Sequence, residues 1–222
     1  MKDLCVVFDI DDTLYLERDY VFSGFAAVGV WARTWLGVPD FAERCRSAHE
    51  SGTRGSVFNR VLGDCGVAPS QEVVGALVAL YRAHVPEIGL CGDAREALTE
   101  VSARWPAAAI TDGPAISQSR KAEALGLHRF ADPIYLTELH GAGCSKPSPV
   151  VFRKVEEAIP AKRYVYVADN PAKDFHAPRA LGWRSIRVRR PEGLHFGVDN
   201  PDIVPDAELP DCSGLMPLLL SL

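Results

Sequence analysis

Five apolar runs, each only four or five residues long, alternate through most of this chain with stretches of helical length. They are LCVVF at 4–8, AAAI at 107–110, PIYL at 133–136, YVYVA at 164–168 and SIRV at 185–188. Runs so short and so continuously apolar fit strands buried on both faces, since a half-exposed strand would alternate apolar with polar residues. The stretches between the later runs read as helices. AREALTEV carries Leu98 and Val101 on one side, and residues 115–125 end in Leu-Gly, a helix stop. Ser148-Pro149 opens VVFRKVEEAI with a capping residue and a proline at the first helical position. Buried strands alternating with helices predict an α/β fold with a parallel sheet flanked by helices.

The interval 16–86 breaks that rhythm. Val21, Phe25, Val28, Ala32 and Trp35 recur at helical spacing before Gly37. Ser70 precedes a second helical stretch in which Val73, Leu77, Leu80 and Tyr81 share a face. No part of the interval reads as a strand. The expected organisation is a core of 1–15 and 87–222 with a helical module, 16–86, inserted after the first strand. Packing between helices is the expected use of Trp31 and Trp35, and the C-terminal LMPLLLSL is expected to be a last helix or a core edge.

A net charge of −5 disfavours a nucleic-acid binder, which needs a clustered positive surface to displace counterions. The six cysteines show no metal-ligand spacing and sit among apolar neighbours, as small buried hydrophobes of a reducing compartment do. With no signal peptide and no long apolar stretch, the expected location is cytoplasmic, without a membrane partner. The expected assembly is a monomer or homodimer.

In an open parallel sheet, ligands bind at the carboxyl ends of the strands. The first run is followed by Asp9-Ile10-Asp11-Asp12-Thr13, the second by Thr111-Asp112-Gly113, the third by a loop leading to Lys146, and the fourth by Asp169, with Asp174 beyond it. So many carboxylates at buried strand ends are tolerable only with a cation to neutralise them. Hard oxygen ligands beside a lysine suit Mg²⁺ in phosphoryl chemistry. One carboxylate can attack phosphorus, and a second, two residues on along an extended segment, can move protons. A strand-end hydroxyl and a lysine can bind the oxygens of the transferring group.

These segments resemble the haloacid dehalogenase (HAD) superfamily. FDIDDTL is similar to its first motif, AAAITDG to its second, KPSP to its third and VADNPAKDF to its fourth, in family order and over nearly the whole chain. The helical interval stands where the superfamily's small helical (C1-type) cap is inserted. The resemblance implies a Rossmann-like core and a Mg²⁺-dependent phosphatase acting on a small phosphate ester through an aspartyl-phosphate. It implies Asp9 as nucleophile and metal ligand, and Asp11 as general acid/base lending its backbone carbonyl to the metal. Thr111 would bind phosphate, Lys146 would bind phosphate and restrain Asp9, and Asp169 and Asp174 would complete the metal site. Asp12 stands where many members have glycine, and is expected to point away from Asp9 and Asp11.

Phosphomutase, haloacid dehalogenase and a silent binding member are the alternatives within the same fold. A dehalogenase needs neither metal nor Asp11, so the paired aspartates favour phosphate. Arg54 and Asn59 in the helical interval, with Asp112 and Gly113, are candidate substrate contacts. Lys173 is expected to face solvent, and in RVRR (187–190) Arg187 and Arg189 are expected to point outward.

Overall fold

The structure is a computed structural model and describes residues 2–222. The chain divides into two compact units. One runs to Glu17 and resumes from Ile88 to Leu222, and the other is Arg18–Glu87.

The first unit holds six strands: β1 (Lys2–Phe8), β2 (Ala107–Thr111), β3 (Ile134–Leu136), β4 (Ala161–Ala168), β5 (Arg184–Val188) and β6 (Ala207–Leu209). They form one sheet in the order β3-β2-β1-β4-β5-β6, and every pairing is parallel. This is the doubly wound, Rossmann-like arrangement, in which strand order reverses beside β1. Successive β1 side chains alternate between faces, yet Leu4, Cys5, Val6, Val7 and Phe8 are all buried, so both faces are covered. On one face Cys5 and Val7 pack with Ile110, Phe152, Tyr166 and Trp183.

All five apolar runs are strands. The sixth, β6, is three residues with no apolar run, and its ladder with β5 rather than its composition makes it a strand. Helices α5 (Gly92–Ser102), α6 (Ala115–Ala124), α7 (Val150–Ala158), α8 (His176–Ala180) and α9 (Leu215–Ser221) complete this unit. The last contains most of LMPLLLSL. Helix α7 starts one residue later than expected, with Pro149 rather than Ser148 as its N-cap.

The second unit is built of α1 (Glu17–Trp35), α2 (Phe41–Glu50), α3 (Val57–Asp64) and α4 (Gln71–Ala83), with α1 starting at the last residue of the first unit. Phe25, Val28, Phe41, Phe58, Leu62 and Leu77 form its core. Ser70 caps α4 by accepting from the Val73 amide at 3.2 Å. Gly29 is demanded by packing, because a Cβ there would lie 2.6 Å from that of Ala42. Two expectations fail at the edges of the stripes. Trp35, the last residue of α1, is 71% exposed, so only Trp31 packs on the core, and Leu80 is largely outside it.

All six cysteines are free thiols, four of them buried. Among the described residues no helix is long and apolar enough to cross a membrane.

Two buried arginines, Arg187 and Arg190, tie the C-terminal segment to the strand ends, and of the two expected to point outward Arg187 is buried instead. Arg187 donates to the carbonyls of Asp169 (3.1 Å), His195 (2.8 Å) and Val198 (2.7 Å) and pairs with Asp199 and Glu208. It is buried because the 195–199 segment supplies acceptors over the strand face where solvent was expected. Arg190 grips the Thr13 carbonyl at 2.9 Å and both carboxylate oxygens of Asp93.

Replacing Arg187 with Met leaves those carbonyls unpaired and should cost about 3–5 kcal/mol in urea unfolding. The exposed pair of Arg184 with Asp206 should be worth less than about 1 kcal/mol in the matching Arg184→Met variant. Equal losses from the two would sink this ranking. Burial alone would raise the Asp93 carboxyl, but the Arg190 fork and the Cys212 amide outweigh it and hold it below the ordinary 3.8. The unfolded chain therefore binds this proton more readily, so the contribution is full above the unfolded pKa and fades as pH falls through the lowered folded value. Asp93→Asn should flatten the acid limb of a stability-against-pH curve below about pH 4, leaving its slope at neutral pH unchanged.

Candidate active site

The carboxyl ends of β1 and β4 lie side by side where the strand order reverses, the place at which an open parallel sheet leaves a crevice. Asp9 leaves β1 and Asp169 leaves β4, and the Asp9 amide donates to the Val167 carbonyl at 2.9 Å, which joins the two exits. Asp174 arrives on the following turn. Its Oδ2 accepts from the Asn170 amide at 3.0 Å, while its own amide returns a 3.0 Å bond to the Asn170 carbonyl. Oxygens from Asp9, Asp169 and Asp174, all buried, lie within 4.8 Å of one another.

One buried ammonium enters this cluster. Lys146 Nζ donates to Asp9 Oδ1 at 2.5 Å and to the Tyr166 hydroxyl at 3.0 Å, and it lies 2.7 Å from Asp174 Oδ1. That last oxygen is buried and out of hydrogen-bonding alignment with any donor. Burial pushes the Asp9 carboxyl up to about 6, with Asp174 adding to the effect and Lys146 opposing it. Burial, then the charges of Asp9 and Asp174, drive Asp169 well above the carboxylate range. Burial would lower Lys146, yet Asp174 and Asp9 outweigh it and hold the ammonium well above its usual value. Three carboxylates facing one ammonium, with a buried oxygen lacking a donor, form a site that could hold a divalent cation.

Asp11 turns its carboxylate away from this cluster. Oδ1 accepts from Tyr15 at 2.5 Å and from Lys121 Nζ at 2.6 Å, and Oδ2 accepts from Gln118 Nε2 at 3.0 Å. Burial alone would raise its pKa, but the Lys121 charge and these three bonds outweigh it and keep the carboxylate ionised. Strand alternation is not what places it. β1 ends at Phe8, and Asp12 has φ +53°, so residues 9–12 form a loop. The positive φ is also the physical reason glycine suits position 12. Asp12 accepts instead from the amides of Glu17 (2.8 Å) and Leu194 (2.9 Å), a structural tie.

Thr111 ends β2 and is buried, its hydroxyl donating to Gln118 Oε1 at 3.0 Å. Asp112 has its carboxylate filled by Thr137 Oγ1 (2.7 Å), the Lys146 amide (3.2 Å) and Lys173 Nζ (3.0 Å), so it braces the Lys146 loop. Gly113 has φ +124°, and a Cβ there would press on Gln118 Nε2 at 2.9 Å. Lys173 is thus drawn to the rim by Asp112 rather than left in solvent. Arg54 and Asn59 belong to the helical unit, where both border an apolar cavity.

Sequence reasoning missed Tyr15, Gln118, Lys121 and Tyr166. A signal existed for two of them. Helix α6 has no apolar stripe, and its buried residues are Ser117, Gln118, Lys121 and Ala122, so its inward face had to meet polar groups. Tyr166 was hidden inside a strand whose apolar run explained it fully.

Residues 4–182 match the sequence profile of the family described as haloacid dehalogenase-like hydrolase. Over 217 residues the chain is 27% identical to a glyceraldehyde 3-phosphate phosphatase of Methanopyrus kandleri, covering 92% of this chain and 91% of that protein. Magnesium-bound YfnB of Bacillus subtilis superposes with a TM-score of 0.71 at 18% identity, over 99% of each chain. The L-2-haloacid dehalogenase of Xanthobacter autotrophicus does so at 0.65 and 18% identity, over the whole of both chains. At such identities the two structures speak for the fold, whereas the profile match spans most of the sequence. The chain belongs to the haloacid dehalogenase-like hydrolase family.

Proposed function

We propose that this hydrolase is a Mg²⁺-dependent phosphatase of a small phosphorylated metabolite, working through an aspartyl-phosphate on Asp9. The observation that carries this reading is the buried meeting of Asp9, Asp169, Asp174 and Lys146 at the strand-order reversal. Asp9, Asp169, Asp174 and the backbone carbonyl of Asp11 would hold Mg²⁺. When bound, the ion offsets the charge of the carboxylates and of the phosphoryl oxygens.

The remaining work belongs to side chains. A carboxylate oxygen of Asp9 attacks phosphorus, and the ester P–O bond breaks as the new one forms. Lys146 keeps that carboxylate aimed and takes up charge on the transferring oxygens, where Thr111 adds a hydroxyl. Asp11 takes up a proton from solvent as the ester enters, gives it to the leaving oxygen and gains another from the water that opens the aspartyl-phosphate. That proton returns to solvent as phosphate leaves, so the protons balance over the cycle. Lys121 and Tyr15 hold Asp11 ionised at rest, the state suited to activating water. The relative from Methanopyrus kandleri makes glyceraldehyde 3-phosphate the first ester to try.

Phosphate release from a panel of small esters tests the reading. Turnover should require Mg²⁺, vanish with chelator, and fall by about 10³-fold or more in Asp9→Asn. Halide release from 2-chloropropionate without metal, and no phosphate release, would overturn it. Asp174→Asn should raise the Mg²⁺ concentration needed for half-maximal rate by about 10–100-fold. Lys121→Met should lower kcat by about 10²-fold while leaving KM within a few-fold, since Lys121 acts through Asp11 rather than on substrate.

A further inference from the structure

We propose that the helical unit Arg18–Glu87 carries a binding site of its own for a small organic anion with an apolar body. The site is a cavity of about 290 Å³ bordered by α1, the end of α2, α3, α4 and the turn between α2 and α3. All of its lining residues belong to this unit. The inference does not depend on the phosphatase reading.

The floor is hydrocarbon. Phe25, Phe58, Val74, Val78 and Tyr81 line it, with Phe58 set edge-on to Phe25 at 6.1 Å and to Tyr81 at 5.9 Å. An apolar cavity of about 150 Å³ accepts benzene, so this one has room for a ring or a branched chain with a short polar head. The rim carries Arg54, Arg82, His49 and Asn59, and neither an aspartate nor a glutamate lines the cavity. Acids outnumber bases 29 to 24 in the chain, so the local balance is reversed here.

Arg54 Nη1 donates to the carbonyls of His49 and, at 3.1 Å, Thr53, which anchors the guanidinium at the rim while other N–H groups of its fork remain for a ligand. Burial, then the Arg54 charge, lower the His49 imidazole, so near neutral pH it offers a hydrogen bond without a charge. An apolar floor under two arginines is complementary to a carboxylate on a hydrocarbon body. A three-carbon sugar phosphate has no such body to place there.

The test uses the full chain and phenylacetate as probe, with phenylacetamide, acetate and inorganic phosphate as controls, read by calorimetry. One equivalent of phenylacetate should bind, with equal affinity in the native and Asp9→Asn chains. Phenylacetamide and acetate should bind at least about fivefold more weakly, and phosphate should not compete. Arg82→Gln should weaken phenylacetate at least about fivefold. Val78→Phe, which fills the floor, should abolish binding, and Val74→Phe serves if thermal unfolding shows that variant to be misfolded. No binding of phenylacetate to the native chain would overturn the proposal. So would equal binding to Arg82→Gln and the filled variant, or competition by phosphate with loss in Asp9→Asn.

Discussion

Asp9 Oδ1 and Asp174 Oδ1 lie 2.5 and 2.7 Å from a single buried ammonium, that of Lys146, and Asp169 completes the same cluster with no ammonium of its own. Burying an ion without a partner costs several kcal/mol, and a second like charge nearby adds to that cost. One lysine cannot neutralise three carboxylates. Burial and repulsion from neighbouring carboxylates therefore raise both Asp9 and Asp169. Parts of the surroundings serve to keep Lys146 in this position. Asp112 holds its amide, Tyr166 accepts from its ammonium, and Thr137 and Lys173 hold Asp112 in turn.

A second charge network stands beside the first and keeps its polarity separate. Asp11 is two residues from Asp9, yet its carboxylate faces Lys121, Tyr15 and Gln118. The consequence is two neighbouring carboxylates with opposite displacements, Asp9 raised and Asp11 lowered. Groups whose environments push their pKa values apart can take different roles in one reaction. Gln118 links this network to β2 through Thr111, so the second strand end is coupled to the first by side chains of α6.

How much of this could be read from the residues depends on what kind of signal each part leaves. Five strands announced themselves because burial on both faces forces a continuous apolar run. The carboxylates and Lys146 did so because charge at a buried strand end demands an explanation. Arg187 was misread for the same reason that the strands were read well. Alternation assigns it an outward face, and only the 195–199 segment, which has no periodic pattern, turns that face inward and supplies the carbonyls. Lys173 was misread because its partner, Asp112, is 61 residues away. Asp12 carried a partial signal, an aspartate where glycine is usual, and its left-handed backbone explains the position rather than any catalytic use.

The two units differ in the kind of interaction they offer a ligand, and that difference bears on how specificity could arise. The rim of the sheet offers charge and hydrogen bonds, which suit a phosphoryl group common to many metabolites and distinguish poorly between them. The cavity of the helical unit offers hydrocarbon under a pair of arginines, which suits a ligand with an apolar body and an anionic head. An apolar contact discriminates weakly per methylene, by about 1–3 kcal/mol, whereas an unpaired buried polar group rejects a wrong ligand far more strongly. Arg54 and Arg82 are exposed, so that stronger rejection does not apply at the rim, and selectivity at the cavity should come from the shape of the aromatic floor together with the arginine charge.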